Sequence, residues 1–218
     1  MKRVIVCSGG PVEEVVDFEQ LPLLKEETAF IGADRGALHL LSKGIVPTEV
    51  IGDFDSLTKD EFQLVKQQVS KMTVLQVEKD ETDTHIAIEK ALTYQPDEII
   101  LTAVTGGRLD HYEAVLHDLC RFQMDYPKIL FSIQNNQNII QFLLPGTHEI
   151  EQDVHYKYIS FFSFGEKVEK ISLKGFLYNV TEETIAVGNA KFTSNELKDR
   201  TSTISFIAGI CLMIRSSD

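Results

Sequence analysis

The chain has 218 residues, 43% hydrophobic and 25% charged, with a formal net charge of −12. That length suits one large domain or two small ones, and the apolar fraction suits a soluble globular protein. The acidic balance argues against a nucleic-acid backbone or an anionic membrane as the main partner. A nucleotide remains compatible with it, because a metal and a few placed cations can hold phosphates on an acidic protein. Cys7, Cys120 and Cys211 are far apart, odd in number and set in apolar contexts. They read as reduced core residues, not as a disulfide framework or a zinc site. Met1 to Cys7 meets a glycine turn too soon for a secretory signal. No apolar run approaches the roughly 18 residues of a membrane span, so a cytoplasmic location is expected.

Val4 to Cys7 reads as a first strand running into the tight loop Ser8-Gly9-Gly10-Pro11. Ala29 to Ala33 reads as a second strand, ending at Asp34-Arg35-Gly36. The short helix after it turns Ala37, Leu38, Leu40 and Leu41 inward and stops at Gly44, and Pro47 keeps it from resuming. Val50-Ile51 is the next buried strand, followed by Gly52-Asp53-Phe54-Asp55-Ser56. A polar helix is expected over 58–70 and a strand over 72–77. Thr84, Ala87, Ile88, Ala91 and Leu92 then mark a helical stripe. Glu98 to Val104 is a strand that leads into Thr105-Gly106-Gly107-Arg108, and a helix follows with Tyr112, Val115, Leu116, Leu119 and Cys120 on one face. Lys128 to Ile133 closes the series.

Strands that alternate with helices imply a parallel sheet with helical crossovers. Ligands bind such sheets beyond the carboxyl ends of the strands. The unusual loops all follow strands, so a parallel sheet would gather them on one edge. From about residue 135 helical periodicity disappears. Short strand-like runs separated by Pro145-Gly146, Gly165, Gly175, Gly188-Asn189 and Gly209 predict an all-β sandwich or jelly roll. The expected architecture is therefore an α/β domain over 1–134 and a β domain over 135–218.

If the third strand continues through Asp53 and Asp55, both carboxylates point to one side. A hard divalent cation is the usual partner for such a pair, although an isolated Asp-x-Asp is more often a solvated turn. Asp83, or Asp80, would complete a three-carboxylate shell; the plainer reading of Asp80, Thr82 and Asp83 is helix capping. The candidate ligands are nearly all oxygen donors, which favours Mg²⁺ over a transition metal. The Gly106-Gly107 turn lets backbone N–H groups approach a phosphate, with Arg108 able to fork onto its oxygens. The plainer reading is an ordinary strand-to-helix turn. Asp110 beside His111 could accept a proton or cap the helix. Together these residues suggest Mg²⁺-dependent phosphoryl or pyrophosphoryl transfer from a nucleotide, without indicating which phosphorus is attacked.

Four motifs in order carry a resemblance: Ala33-Asp34-Arg35-Gly36-Ala37, Ile51-Gly52-Asp53-Phe54-Asp55-Ser56, Asp80-Glu81-Thr82-Asp83 and Gly106-Gly107-Arg108-Leu109-Asp110-His111. Their order and spacing resemble the thiamine pyrophosphokinases. The C-terminal half adds its β pattern and Ser194-Asn195-Glu196. The resemblance implies a homodimer that moves the pyrophosphoryl group of ATP onto thiamine, giving AMP and thiamine diphosphate. It implies Asp53, Asp55 and Asp83 as Mg²⁺ ligands, and Asp34, Arg35, Asp80, Thr82, Gly106, Gly107 and Arg108 around ATP. It also implies Asp110, Ser194 and Asn195 around thiamine, with Asp53, Asp55, Asp83, Arg108 and Asp110 as the catalytic set. Arg35 stands where many members have glycine. Either the backbone there does not need a positive φ, or the arginine adds a phosphate contact. Two other readings fit the residues: a Mg²⁺-dependent phosphohydrolase, and a nucleotide sensor without turnover.

Overall fold

The computed structural model describes residues 2–19, 21, 28–76 and 81–218. The chain divides into two compact units, Met1–Asn136 and Gln137–Asp218.

The first unit is an α/β layer structure. Its strands are β1 (Arg3–Cys7), β2 (Thr28–Ala33), β3 (Glu49–Gly52), β4 (Met72–Val74), β5 (Glu98–Thr102) and β6 (Leu130–Gln134). They lie in the order β6-β5-β1-β2-β3-β4, and every neighbouring pair is parallel. β1, β3 and β5 are buried along their whole length. This is why they read as unbroken apolar runs and not as alternating ones. Each fully buried Ile, Val or Leu there contributes about 1.5–3 kcal/mol.

Among the described residues, four α-helices connect the strands: α1 (Gly36–Ser42), α2 (Lys59–Gln68), α3 (Asp83–Leu92) and α4 (Leu109–Asp125). α2 starts in a capping box. Thr58 Oγ1 accepts from the Glu61 N–H, and Glu61 accepts from the Thr58 N–H. α3 starts at Thr82, whose hydroxyl accepts from the His85 N–H. Ala87, Ile88 and Ala91 bury its inner face, which packs on β1, β2 and β3. At the amino ends of the strands, charged groups satisfy one another. Arg3 pairs with Glu98, and buried Glu49 accepts from Lys90, Thr73 and Tyr94. The carboxyl ends are left open.

The second unit is a β-sandwich. One sheet has the order β12-β9-β14-β7 and the other β11-β10-β13-β8. The strands are β7 (Asn138–Leu143), β8 (Gly146–Glu151), β9 (Tyr158–Ser163), β10 (Val168–Lys174), β11 (Val180–Ile185), β12 (Asn195–Glu196), β13 (Thr201–Phe206) and β14 (Cys211–Ser216). Their pairings are antiparallel. Phe161, Phe176, Ile159, Ile171, Ile204 and Cys211 form a dry centre between the sheets. Among the described residues, no helix is long and apolar enough to cross a membrane.

Candidate active site

The loops after β1, β2, β3 and β5, with the start of α3, line a cleft of about 1260 Å³ in the first unit. Parallel strands place these loops on one edge of the sheet.

At its acidic part, the carboxylates of Asp34, Asp53 and Asp83 offer oxygens within 4.8 Å of one another. Asp34 follows β2 with φ at 49°, a left-handed conformation that Asp tolerates better than most residues. Its Oδ2 accepts from the Ser56 hydroxyl at 2.7 Å. Its Oδ1 is buried with no hydrogen-bond partner. Burial raises the Asp34 pKa above its ordinary value, with Asp83 and Asp53 adding to the rise and the Ser56 and Arg35 hydrogen bonds opposing it. Buried polar atoms in native proteins are nearly always satisfied. An orphaned oxygen beside two further carboxylates fits a hard cation with oxygen ligands.

The premise that one strand runs through both Asp53 and Asp55 requires correction. β3 ends at Gly52, and Phe54 takes φ at 57°, so strand alternation stops before Asp55. The Phe54 ring enters the core with Val50, Val65 and Ala37. Asp55 is exposed, and its backbone N–H donates to Asp53 Oδ1 at 3.1 Å. The structure thus brings the Asp34 carboxylate to those of Asp53 and Asp83. The signal for Asp34 was present in the Asp34-Arg35-Gly36 turn, but the left-handed residue that aims the carboxylate has no sequence signature. Asp80 lies outside the described residues. Thr82 caps α3 and also lines the cleft.

Arg35 has φ at −60°, so the position needs no glycine. The left-handed residue is its neighbour Asp34. The Arg35 guanidinium forks onto Glu61, with Nη2 at 2.7 Å from Oε1, and also donates to the Ser56 carbonyl. It ties α1, the Asp53–Ser56 loop and α2 into one cleft wall. Gly36 follows because an added Cβ would lie 1.9 Å from the Cys7 carbonyl oxygen.

On the β5 side, Gly106 and Gly107 have φ at 74° and 65°, and both line the cleft with Arg108 and His111. Arg108 is exposed and forks onto Asp110, Nε to Oδ1 at 3.1 Å and Nη2 to Oδ2 at 2.6 Å. The hydrogen bonds from Arg108 hold the Asp110 carboxyl down to about 2. His39, unmarked by any sequence motif, also reaches the cleft. Its Nε2 donates to the Gly10 carbonyl at 2.9 Å, which fixes the neutral tautomer that carries the proton there.

In the second unit, Ser194 is exposed with φ at 57°, and its N–H donates to Ser160 Oγ. Asn195 is buried. Its amide accepts from the Tyr178 N–H and donates to the Tyr178 carbonyl, at 3.0 and 2.9 Å. Asn195 thus secures the backbone next to Ser194 and Tyr178.

A family model for the thiamin pyrophosphokinase catalytic domain matches residues 21–131, and one for the thiamin pyrophosphokinase vitamin B1 binding domain matches residues 147–211. The chain is 38% identical to the thiamine pyrophosphokinase of Bacillus subtilis (strain 168), with all of both chains covered. It belongs to the thiamin pyrophosphokinase family. Among solved structures, the Bacillus subtilis thiamine pyrophosphokinase superposes with a TM-score of 0.93 at 37% identity, covering 100% of both chains. That from Geobacillus thermodenitrificans superposes with 0.89 at 35% identity, covering 100% of this chain and 98% of the other. Within the thiamin pyrophosphokinase frame, the acid cluster and the glycine turn fall in the catalytic-domain match. Ser194 and Asn195 fall in the vitamin B1 binding match.

Proposed function

We propose that the chain transfers the β,γ-pyrophosphoryl unit of ATP to the hydroxyethyl oxygen of thiamine, giving thiamine diphosphate and AMP. Its cofactor is Mg²⁺, and its working form is a cytoplasmic homodimer. The observation that carries this reading is the buried, unpartnered Oδ1 of Asp34 among three carboxylates, in the same cleft as a glycine turn with an arginine.

Asp34, Asp53 and Asp83 would hold Mg²⁺, with Asp55 beside them as an outer carboxylate. When bound, the ion supplies positive charge against the polyphosphate. Thr82, Gly106, Gly107 and Arg108 hold the nucleotide phosphates, and Arg35 borders the same nucleotide. The backbone N–H groups of the glycine turn and the Arg108 guanidinium meet the oxygens on which charge develops. The thiamine oxygen attacks the β-phosphorus in line and gives up its proton to solvent, the bond from that phosphorus to the α–β bridging oxygen breaks, and AMP leaves with that oxygen. Asp110, held near 2 by Arg108, is a weak proton acceptor. Its part is to orient the thiamine hydroxyl and offset the cation of the vitamin. Ser194 contacts the aminopyrimidine, and Asn195 shapes the turn that presents it. Positioning and electrostatics supply most of the rate.

The test is a product assay with purified protein, ATP, MgCl₂ and thiamine, resolved by chromatography. AMP and thiamine diphosphate should appear in equal amounts, and only with thiamine present. ADP with thiamine monophosphate would overturn the site of attack, and phosphate release without thiamine would mean hydrolysis.

A further inference from the structure

The Gly106-Gly107 turn poses a physical problem. Two successive glycines at positive φ lose the most chain entropy on ordering. They also have no side chains with which to anchor themselves. A turn that receives phosphate oxygens must nevertheless be fixed before the ligand arrives, or binding bears the ordering cost.

Behind the turn, outside the cleft lining, sits the carboxylate of Glu14. Its Oε2 accepts from the Thr105 hydroxyl and from Asn135 Nδ2 at 2.6 Å. Asn135 Nδ2 also lies 2.9 Å from Thr105 Oγ1, which closes a three-residue ring. The backbone of the same residue is engaged: the Glu14 carbonyl accepts from the Ala103 N–H and from the Thr102 hydroxyl, both at 3.2 Å. Glu14 Cγ and Pro11 Cγ lie 3.2 and 3.4 Å from the point where a Cβ on Gly106 would stand. The turn therefore rests on the Pro11–Glu14 segment and is tied to it through the residue that precedes the first glycine. Asn135 is buried and brings in the end of β6, so three separate loops converge on one carboxylate.

We infer that Glu14, with Asn135 and Thr105, is a positioning residue that holds the Gly106-Gly107 turn in the shape that receives the β- and γ-phosphates of the nucleotide. It touches neither the substrate nor the reacting atoms. The inference rests on the functional reading above, which assigns polyphosphate to that turn.

The test compares MgATP and AMP binding to the full-length protein, without thiamine, by titration calorimetry. AMP lacks the phosphates that the turn would hold. Glu14→Ala should weaken MgATP by about tenfold or more, the loss expected for hydrogen bonds to a charged group, and leave AMP within about twofold. Glu14→Gln keeps an acceptor oxygen and should restore most of the MgATP affinity. If Glu14→Ala does not fold, Thr105→Val removes the hydroxyl from the same ring and should give the same selective loss. Equal weakening of MgATP and AMP in a folded variant would overturn the inference, as would no weakening of either. Wild-type protein that binds MgATP no better than AMP would instead remove the assignment of polyphosphate to the turn, and the inference with it.

Discussion

Arg108 and Asp110 occupy each other in a two-bonded fork at the start of α4, with Nη2 and Oδ2 at 2.6 Å. The fork commits Nε and Nη2, so Asp110 competes with a phosphate for the guanidinium and leaves it chiefly the Nη1 donors. Asp110→Asn should therefore bind MgATP a few-fold more tightly, by about the modest amount expected for an exposed pair, while its KM for thiamine rises. Arg108→Ala should raise the KM for ATP by roughly tenfold to a hundredfold and leave that for thiamine nearly unchanged. Steady-state kinetics with each substrate varied in turn measures both. Equal effects on the two KM values would contradict the assignment.

Asp34 is disfavoured as an anion. Its folded pKa is raised by burial first, and then by Asp83 and Asp53. A raised carboxyl contributes its stability fully below the unfolded value, and loses it as pH rises through the folded one. In metal-free protein the ionised form of Asp34 is thus the costlier one to keep folded. Asp34→Asn keeps a residue that tolerates the left-handed backbone and should raise the Tm of metal-free protein. MgCl₂ should raise the wild-type Tm and leave that of Asp34→Asn nearly unchanged. A thermal scan with and without MgCl₂ decides, and an equal magnesium response in both proteins would exclude Asp34 from the site.

His39 gives a pH dependence of opposite sense. Its pKa is lowered by burial above all, with Arg35 adding to the drop and the Gly10 bond and Glu13 opposing it. The unfolded chain binds the proton more readily, so stability is present above the unfolded value near 6.5 and is lost as pH falls through the folded one. Urea denaturation at neutral and mildly acidic pH should show a larger loss for wild type than for His39→Gln, which retains a donor toward the Gly10 carbonyl. Parallel losses would show that another group is responsible.

Gly36→Ala should destabilise the fold by about 2–4 kcal/mol, because the new methyl carbon would meet the Cys7 carbonyl at 1.9 Å. Chemical denaturation measures the loss. A variant as stable as wild type would mean that α1 can slide along β1.

The alternation of strands and helices in the first unit was legible because parallel strands buried on both faces leave unbroken apolar runs, as Val4 to Cys7 and Ile99 to Leu101 do. The carboxyl-edge location of the cleft followed from that topology alone. The acidic cluster was legible in residue type but not in membership. Strand parity predicted Asp53 with Asp55, and one left-handed residue, Phe54, broke the parity to bury its ring. Such inversions depend on tertiary packing, which local pattern does not carry. Glu14, Thr105 and Asn135 were invisible for a different reason. Their separations of 91, 121 and 30 residues leave no spacing to read.

The anchoring of Asp83 separates two jobs that a chain often combines. Asp83 opens α3, whose buried alanines and Ile88 seat it on β1, β2 and β3, whereas β4 is a three-residue edge strand. The acid is therefore located by the helix on its carboxyl side, not by the strand on its amino side. Substitutions in β4 would accordingly leave the third carboxylate at its address for as long as α3 keeps its seat on the sheet.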